Sequence, residues 1–212
     1  MNGDLKQEFR EHVEEMKEFF RTKLRIVPWI ISAVFLIFSF VGFALYSAAP
    51  EQAEQLISTF TEVIDQAGVI SEEGTIRIFP LLLNNWRAMV FCILYGLIPF
   101  IFLPVTAAIS NASLMGILAA HYYHNGQSMA LFFAGILPHG IFEIPALILS
   151  VSLGTVLCFY MVLFLFRHKK AVPMLELCTN ILRTLLLVIF PMIVLAAIIE
   201  SYITPLIMQL FL

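Results

Sequence analysis

The sequence predicts an all-α fold, a polytopic transmembrane helical bundle of about five spans. Two observations carry this. Of 212 residues, 60% are hydrophobic and only 13% are charged, whereas an ordinary soluble domain carries about 25% charged residues. The apolar residues also fall in long runs, several reaching the roughly 20 residues that a helix needs to cross a bilayer. That length suits one bundle and leaves little room for a separate soluble domain.

Residues 1–26 read as a charged, amphipathic helix at the cytoplasmic face. Leu5, Phe9, Val13, Met16 and Phe20 recur at helical spacing, with acids and bases mixed on the other face. Arg21, Lys23 and Arg25 stand just before the first apolar run, which places this end in the cytoplasm by the positive-inside rule. So charged a start does not fit a cleavable signal peptide.

The bundle then occupies residues 27–212. Span one is read at 27–48, with Pro28 and Trp29 at the interface. An outer loop comes next over 49–83, where Glu51, Glu54, Glu62, Asp65, Glu72 and Glu73 are opposed only by Arg77. Within it, Leu56, Phe60, Val63 and Ile64 predict an amphipathic helix on the outer surface. Span two is expected at 88–110, interrupted by Pro99 and Pro104.

The stretch 111–140 is harder to divide, because its two apolar pieces, 112–124 and 129–138, are each short for a span. Parity restricts it. Arg167, His168, Lys169 and Lys170 close the long apolar run 141–166, and if they are cytoplasmic, 111–140 makes one net crossing. The expectation is a full or broken crossing followed by a partly re-entrant piece. Residues 173–184 read as interfacial, and span five runs from Leu185 to the C-terminus through Pro191 and Pro205. Five crossings put the C-terminus outside.

Several function classes have no support in the residues. No basic patch interleaved with aromatics occurs, so nucleic acid is not an expected partner. Cys92, Cys158 and Cys178 are scattered singly and indicate neither a disulfide framework nor a thiolate metal site. H-E-x-x-H, G-x-S-x-G and Walker-type motifs are absent, and no Asp lies beyond Asp65. The residues argue for no named enzymatic activity.

What remains is the polarity inside the apolar runs. Only Glu143 and Glu200 are carboxylates deep within them, where an ionisable group is costly without a partner or a wet cavity. Glu143 lies four residues after His139, so on a helix the two share a face. That spacing suits two ligands of one metal ion, zinc among them, and equally a hydrogen-bonded pair. His121 and His124 lie beside Tyr122, Tyr123 and the Asn125-Gly126 turn, as interfacial residues do. If the chain doubles back after Gly126, they would join His139 and Glu143 in a four-ligand set. Asn84, Asn85 and Arg87 at the entrance of span two, and Asn111 with Ser113 at its far end, read as helix caps. The alternative is that these polar groups line one cavity with Glu143. Glu200, with Ser201 and Tyr202 beside it, reads as lying near the outer interface, or else as pairing with a His of another span, and it is counted with Asn84, Asn85, Arg87 and Asn111 as a candidate lining of that cavity.

At these residues the chain resembles a known family. Asn84-Asn85, the run Ser113-Leu114-Met115-Gly116, the Asn125-Gly126 turn and above all Pro138-His139-Gly140-Ile141-Phe142-Glu143-Ile144-Pro145-Ala146 are similar to the stage II sporulation protein M family, over roughly residues 84–154. The resemblance implies a multi-pass bacterial or archaeal membrane protein. In spore formers the namesake works with two other membrane-anchored proteins, including peptidoglycan-degrading enzymes, as scaffold and not as hydrolase. By motif, His139 and Glu143 would be the signature residues, with Asn84 and Asn85 the next best matches.

The expected function is therefore a non-enzymatic membrane component of a cell-envelope complex, with an intramembrane His/Glu site suited to a metal ion. Its expected contacts are membrane lipid, other envelope proteins and a second copy of itself, paired through the charged N-terminal helix. Two rivals stand beside it. One is a transporter or channel that couples a proton or ion through Glu143 and His139. The other is a metal-dependent membrane enzyme.

Overall fold

In the computed structural model the described residues are 2–71, 75–169 and 172–211, with the backbone alone for 2–6, 8 and 9. Leu5, Phe9, Glu72, Glu73 and Lys170 thus lie outside the described side chains. The order is α1 (Asn2–Thr22), α2 (Val27–Ala48), α3 (Pro50–Gln66), α4 (Ile78–Leu94, extended by a 3₁₀ turn Tyr95–Leu97), α5 (Leu103–His124), α6 (Met129–Leu165) and α7 (Met174–Met208). Five of these, α2 and α4 to α7, are long and apolar enough to cross a membrane.

Charged α1 docks on the start of α7 through Arg183, which pairs with Glu15 and donates to His12 Nδ1 at 2.7 Å. Phe19 is the buried aromatic of this helix, and Phe20 packs at the margin of the same core. Leu24 closes the turn into α2, where Pro28 occupies a first-turn position whose amide has no helical acceptor. Outward-facing Trp29, Leu36 and Phe40 then leave most of the α2 surface apolar. A soluble fold rarely presents so large an apolar surface to water.

Small residues set the closest helix approaches. A methyl group added at Gly42 of α2 would fall on the Ser113 backbone of α5, and one at Gly116 of α5 would fall on Ser39 of α2. Gly96 and Gly154 bring the end of α4 against α6 in the same way. Such contacts matter in lipid, where packing and not water exclusion drives helix association. At the centre lies α6, which packs on α2, α4, α5 and α7. Its 37 residues make a rod of about 55 Å, longer than the roughly 30 Å hydrocarbon core.

Three expectations are corrected by these elements. The crossing predicted at 88–110 is divided between two helices: the chain leaves the helix after Leu97, turns at Pro99, and re-enters at Leu103 with Pro104 in the first turn. Phe100 and Phe102 hold positive φ in that turn, a conformation costing non-glycine residues about 1–3 kcal/mol each. Cys158 Sγ–H to Ile98 O at 3.4 Å and an edge-on Phe100–Phe166 contact hold it in place. Secondly, no re-entrant piece occurs between 111 and 140, because α5 and α6 are both continuous and meet at a short turn over 125–128. Pro138 and Pro145 stay inside α6, each leaving the carbonyl four residues earlier without its helical donor. Thirdly, the last apolar helix begins at Met174 and not at Leu185, so the amphipathic stretch 173–184 runs directly into it.

Within α7 the prolines leave a different mark. Leu185–Ile189 and Ile199–Ile203 are π-helical turns, and Pro191 and Pro205 each stand two residues beyond one of them. A proline ring collides with the carbonyl four residues back, here Leu187 and Ser201, both inside the wider turns. The widening relieves the collision and changes the helical register through the turn, so Glu200 and Thr204 are aimed by Pro205.

Candidate functional site

His139 and Glu143 come from one face of α6, as their spacing requires, and Glu200 comes from the second π turn of α7. The imidazole Nε2 lies 3.9 Å from a Glu143 carboxylate oxygen and 4.0 Å from one of Glu200. Its other nitrogen, Nδ1, lies 3.4 Å from the Thr204 hydroxyl. Thr204 therefore contacts one nitrogen of the ring, and the other faces two acids at once. One ligand atom from each of His139, Glu143 and Glu200 falls within 4.8 Å of the others, and no other such group of three occurs among the described residues.

Of the two readings of Glu200, this arrangement meets the pairing with a His of another span. Its side chain is 21% exposed and joins His139 and Glu143. With both acids ionised and the imidazole neutral, the cluster carries two negative charges, which a divalent cation would balance.

The three residues line one end of a cavity of about 490 Å³ between α4, α5 and α6, and Asn84, Asn85 and Asn111 line it with them. None of these asparagines caps a helix. Arg77 is the N-cap of α4, so Asn84 and Asn85 stand two turns inside it, and Asn111 lies midway along α5. Asn85 is buried, and its side-chain nitrogen has no hydrogen-bond partner. A buried amide left unpaired costs about 1–3 kcal/mol, and this one lines the cavity. Arg87 is exposed and is not among the lining residues.

His121 and His124 are not brought to His139; they meet partners at the junction of α2, α3 and α5. Glu54 of α3 accepts from the Tyr46 hydroxyl at 2.5 Å and from His121 Nδ1 at 2.6 Å. Asn125 Nδ2 lies 3.4 Å from the same hydroxyl, and His124 Nε2 lies 2.8 Å from Ser47 Oγ and stacks on the Tyr46 ring. Donation first from Tyr46 and then from His121 holds the Glu54 carboxyl below its usual range. The network ties α3 down where its Phe60 and Ile64 cover the polar end of the cavity. Sequence reasoning missed Glu54, one acid among six in an acidic loop, since its partners are eight and 67 residues away. It stands next to Ala53, the buried residue of α3, and that neighbour is the only local signal.

Comparison with known proteins agrees with the architecture. The model of the stage II sporulation protein M family matches residues 31–205. An uncharacterized protein of Methanocaldococcus jannaschii is 35% identical over 127 residues, covering 60% of this chain and 71% of its own length. No solved structure matches.

Proposed function

Since the chain belongs to the stage II sporulation protein M family, we propose that it is a multi-pass component of a cell-envelope complex whose His139, Glu143 and Glu200 hold a divalent metal ion, zinc first. The observation that supports this is the convergence of three ligand groups from two helices on one point, with the second imidazole nitrogen already held by a hydroxyl. Imidazoles that bind metals are usually anchored through their other nitrogen in this way.

Bonds of about 2.0–2.1 Å in a tetrahedral site place ligand atoms about 3.3–3.4 Å apart, against 3.9 and 4.0 Å from the imidazole to the two acids and within 4.8 Å for all three groups here. Both carboxylates would move inward to close on an ion. Three protein ligands leave a fourth position facing the cavity, so the ion would also be open to a group entering there. In the proposed topology Arg21, Lys23 and Arg25 lie in the cytoplasm with Arg167 and Lys169. The helix α3 then faces outward, where envelope partners are reached.

Metal analysis of the purified protein tests the site. About one zinc per chain is expected, falling to background in His139→Ala and in Glu200→Gln while the protein remains folded. Metal-free wild-type protein of full thermal stability would overturn the assignment. The rival of ion coupling makes a separate prediction, ion-dependent uptake into proteoliposomes abolished by Glu143→Gln. Crosslinking of the tagged chain in its native membrane tests the complex: recovery of peptidoglycan-remodelling membrane proteins supports a scaffold.

A further inference from the structure

The cavity is larger than an ion needs, and its shape is that of a groove open to the side. Although consecutive in sequence, α4 and α5 touch each other little, and both lean on α6. Gly154 of α6 packs against Cys92 of α4 and Pro104 of α5, so the pair is joined at that level. Above it the helices part. One wall carries Ala88, Phe91 and Tyr95, the other Ala107, Leu114 and Leu118. Phe91 and Tyr95 are 51% and 41% exposed, so the groove opens towards the lipid between the two helices.

Polarity is graded along this groove. The end near the α4–α5 turn is apolar and aromatic, whereas the end beneath α3 carries Asn84, Asn85, His139, Glu143 and Glu200. Asn111 sits on the rim, exposed in the middle of a membrane-length helix, with its amide nitrogen turned back to Ala107 O at 2.9 Å. An exposed amide at that depth is costly facing hydrocarbon and is expected only beside a polar group. Asn85 adds an unpaired donor, 6% exposed, at the polar end. In their ionised form Glu143 and Glu200 add carboxylate acceptors at the same end.

We infer that this groove binds one membrane amphiphile side-on. Its chain lies along Phe91, Tyr95 and Ala107, and a headgroup bearing both N–H or O–H donors and an oxygen acceptor sits among Asn85, Glu143 and Glu200. The volume of about 490 Å³ is within the roughly 300–1,000 Å³ of small-molecule sites. Headgroup donors satisfy the carboxylates and its acceptor satisfies the Asn85 amide, so the same contacts that pair the protein's orphaned groups select the lipid. A quaternary ammonium headgroup, which has no donor, is discriminated against. This assignment does not rest on a bound metal.

Native mass spectrometry of the full chain, treated with chelator, tests it with two probes of equal chain composition, phosphatidylethanolamine and phosphatidylcholine. One tightly retained phosphatidylethanolamine per chain is expected, at tenfold or greater preference over phosphatidylcholine. Filling the groove with Ala88→Trp abolishes retention, and Asn85→Leu lowers it at least fivefold. Leu36→Trp, on the exposed face of α2, leaves it unchanged. If Ala88→Trp does not fold, Leu118→Trp fills the groove from its other wall. Equal retention of both lipids, or retention unaffected by filling, overturns the inference. Because chelator is present throughout, a failure here leaves the metal reading standing, and loss of the metal reading leaves this one.

Discussion

His139 is held by contacts that its own neighbourhood in the sequence does not contain. Glu143, one turn along α6, was readable from the i, i+4 spacing, but an imidazole between one acid and lipid would be free to rotate. Thr204 removes that freedom at Nδ1, and Glu200 supplies the second acid at Nε2. The threonine is therefore a positioning residue, and its removal separates orientation from ligation. Thr204→Val keeps the volume and deletes the hydroxyl; zinc affinity measured by competition titration should fall about 10–100-fold with the fold intact. An unchanged affinity would strip Thr204 of this role. Thr204 was not assigned to the site by its sequence position, and Glu200 only as one of two readings, since both reach it through the π turn before Pro205. The proline itself was visible; the register change it produces was not.

At the scale of the element, α3 is the part most dependent on side-chain chemistry. It is short, mostly exposed, and held over the polar end of the cavity by Glu54 together with a few apolar contacts from Ala53 and Ile57. Hydrogen bonds from Tyr46 and His121 lower the Glu54 pKa from its ordinary 4.5. A lowered carboxylate pKa contributes stability that is present in full above the ordinary value and lost as pH falls through the lower folded value. Protection of the α3 amides, corrected for the intrinsic exchange rate, should thus hold from pH 7 down to the ordinary carboxylate value of 4.5 and be lost only below it, while α6 keeps its protection. Glu54→Gln should give fast α3 exchange already at pH 7 and remove the acid transition. Slow exchange in that variant would show that apolar contacts alone hold the helix. The helix was legible in the alternation of Leu56, Phe60, Val63 and Ile64, whereas its anchor depends on α5 folding back to the end of α2.

Over the whole molecule, five membrane-length helices and short turns leave few arrangements, and the charge distribution selects among them. Consecutive spans reverse direction, so the ends of α1 and α6 share one face of the bundle while α3 and the α5–α6 turn share the other. The structure meets this parity through contacts made independently of any membrane: Arg183 at the start of α7 pairs with Glu15 of α1, Lys23 lies 5.1 Å over the Tyr160 ring near the end of α6, and His124 meets Ser47 at the opposite face. Span count was readable from hydropathy together with charge parity, which assigned one net crossing to 111–140 where the apolar pieces alone were too short to decide. Span boundaries were not, because Pro99 and Pro104 read equally as kinks in one helix or as the two sides of a turn. The backbone strain at Phe100 and Phe102, invisible in residue type, marks the second as correct. In the proposed topology the positive-inside rule orients the bundle. In a background where exposed Cys178 is replaced by serine, Gln127→Cys should react with a membrane-impermeant maleimide in intact cells. Lys169→Cys should react only after the cells are opened. The reverse pattern would invert the topology and put α3, with the polar end of the groove, in the cytoplasm. Labelling of both positions from one side would break the five-span parity on which the placement of His139, Glu143 and Glu200 within one membrane-embedded cluster depends.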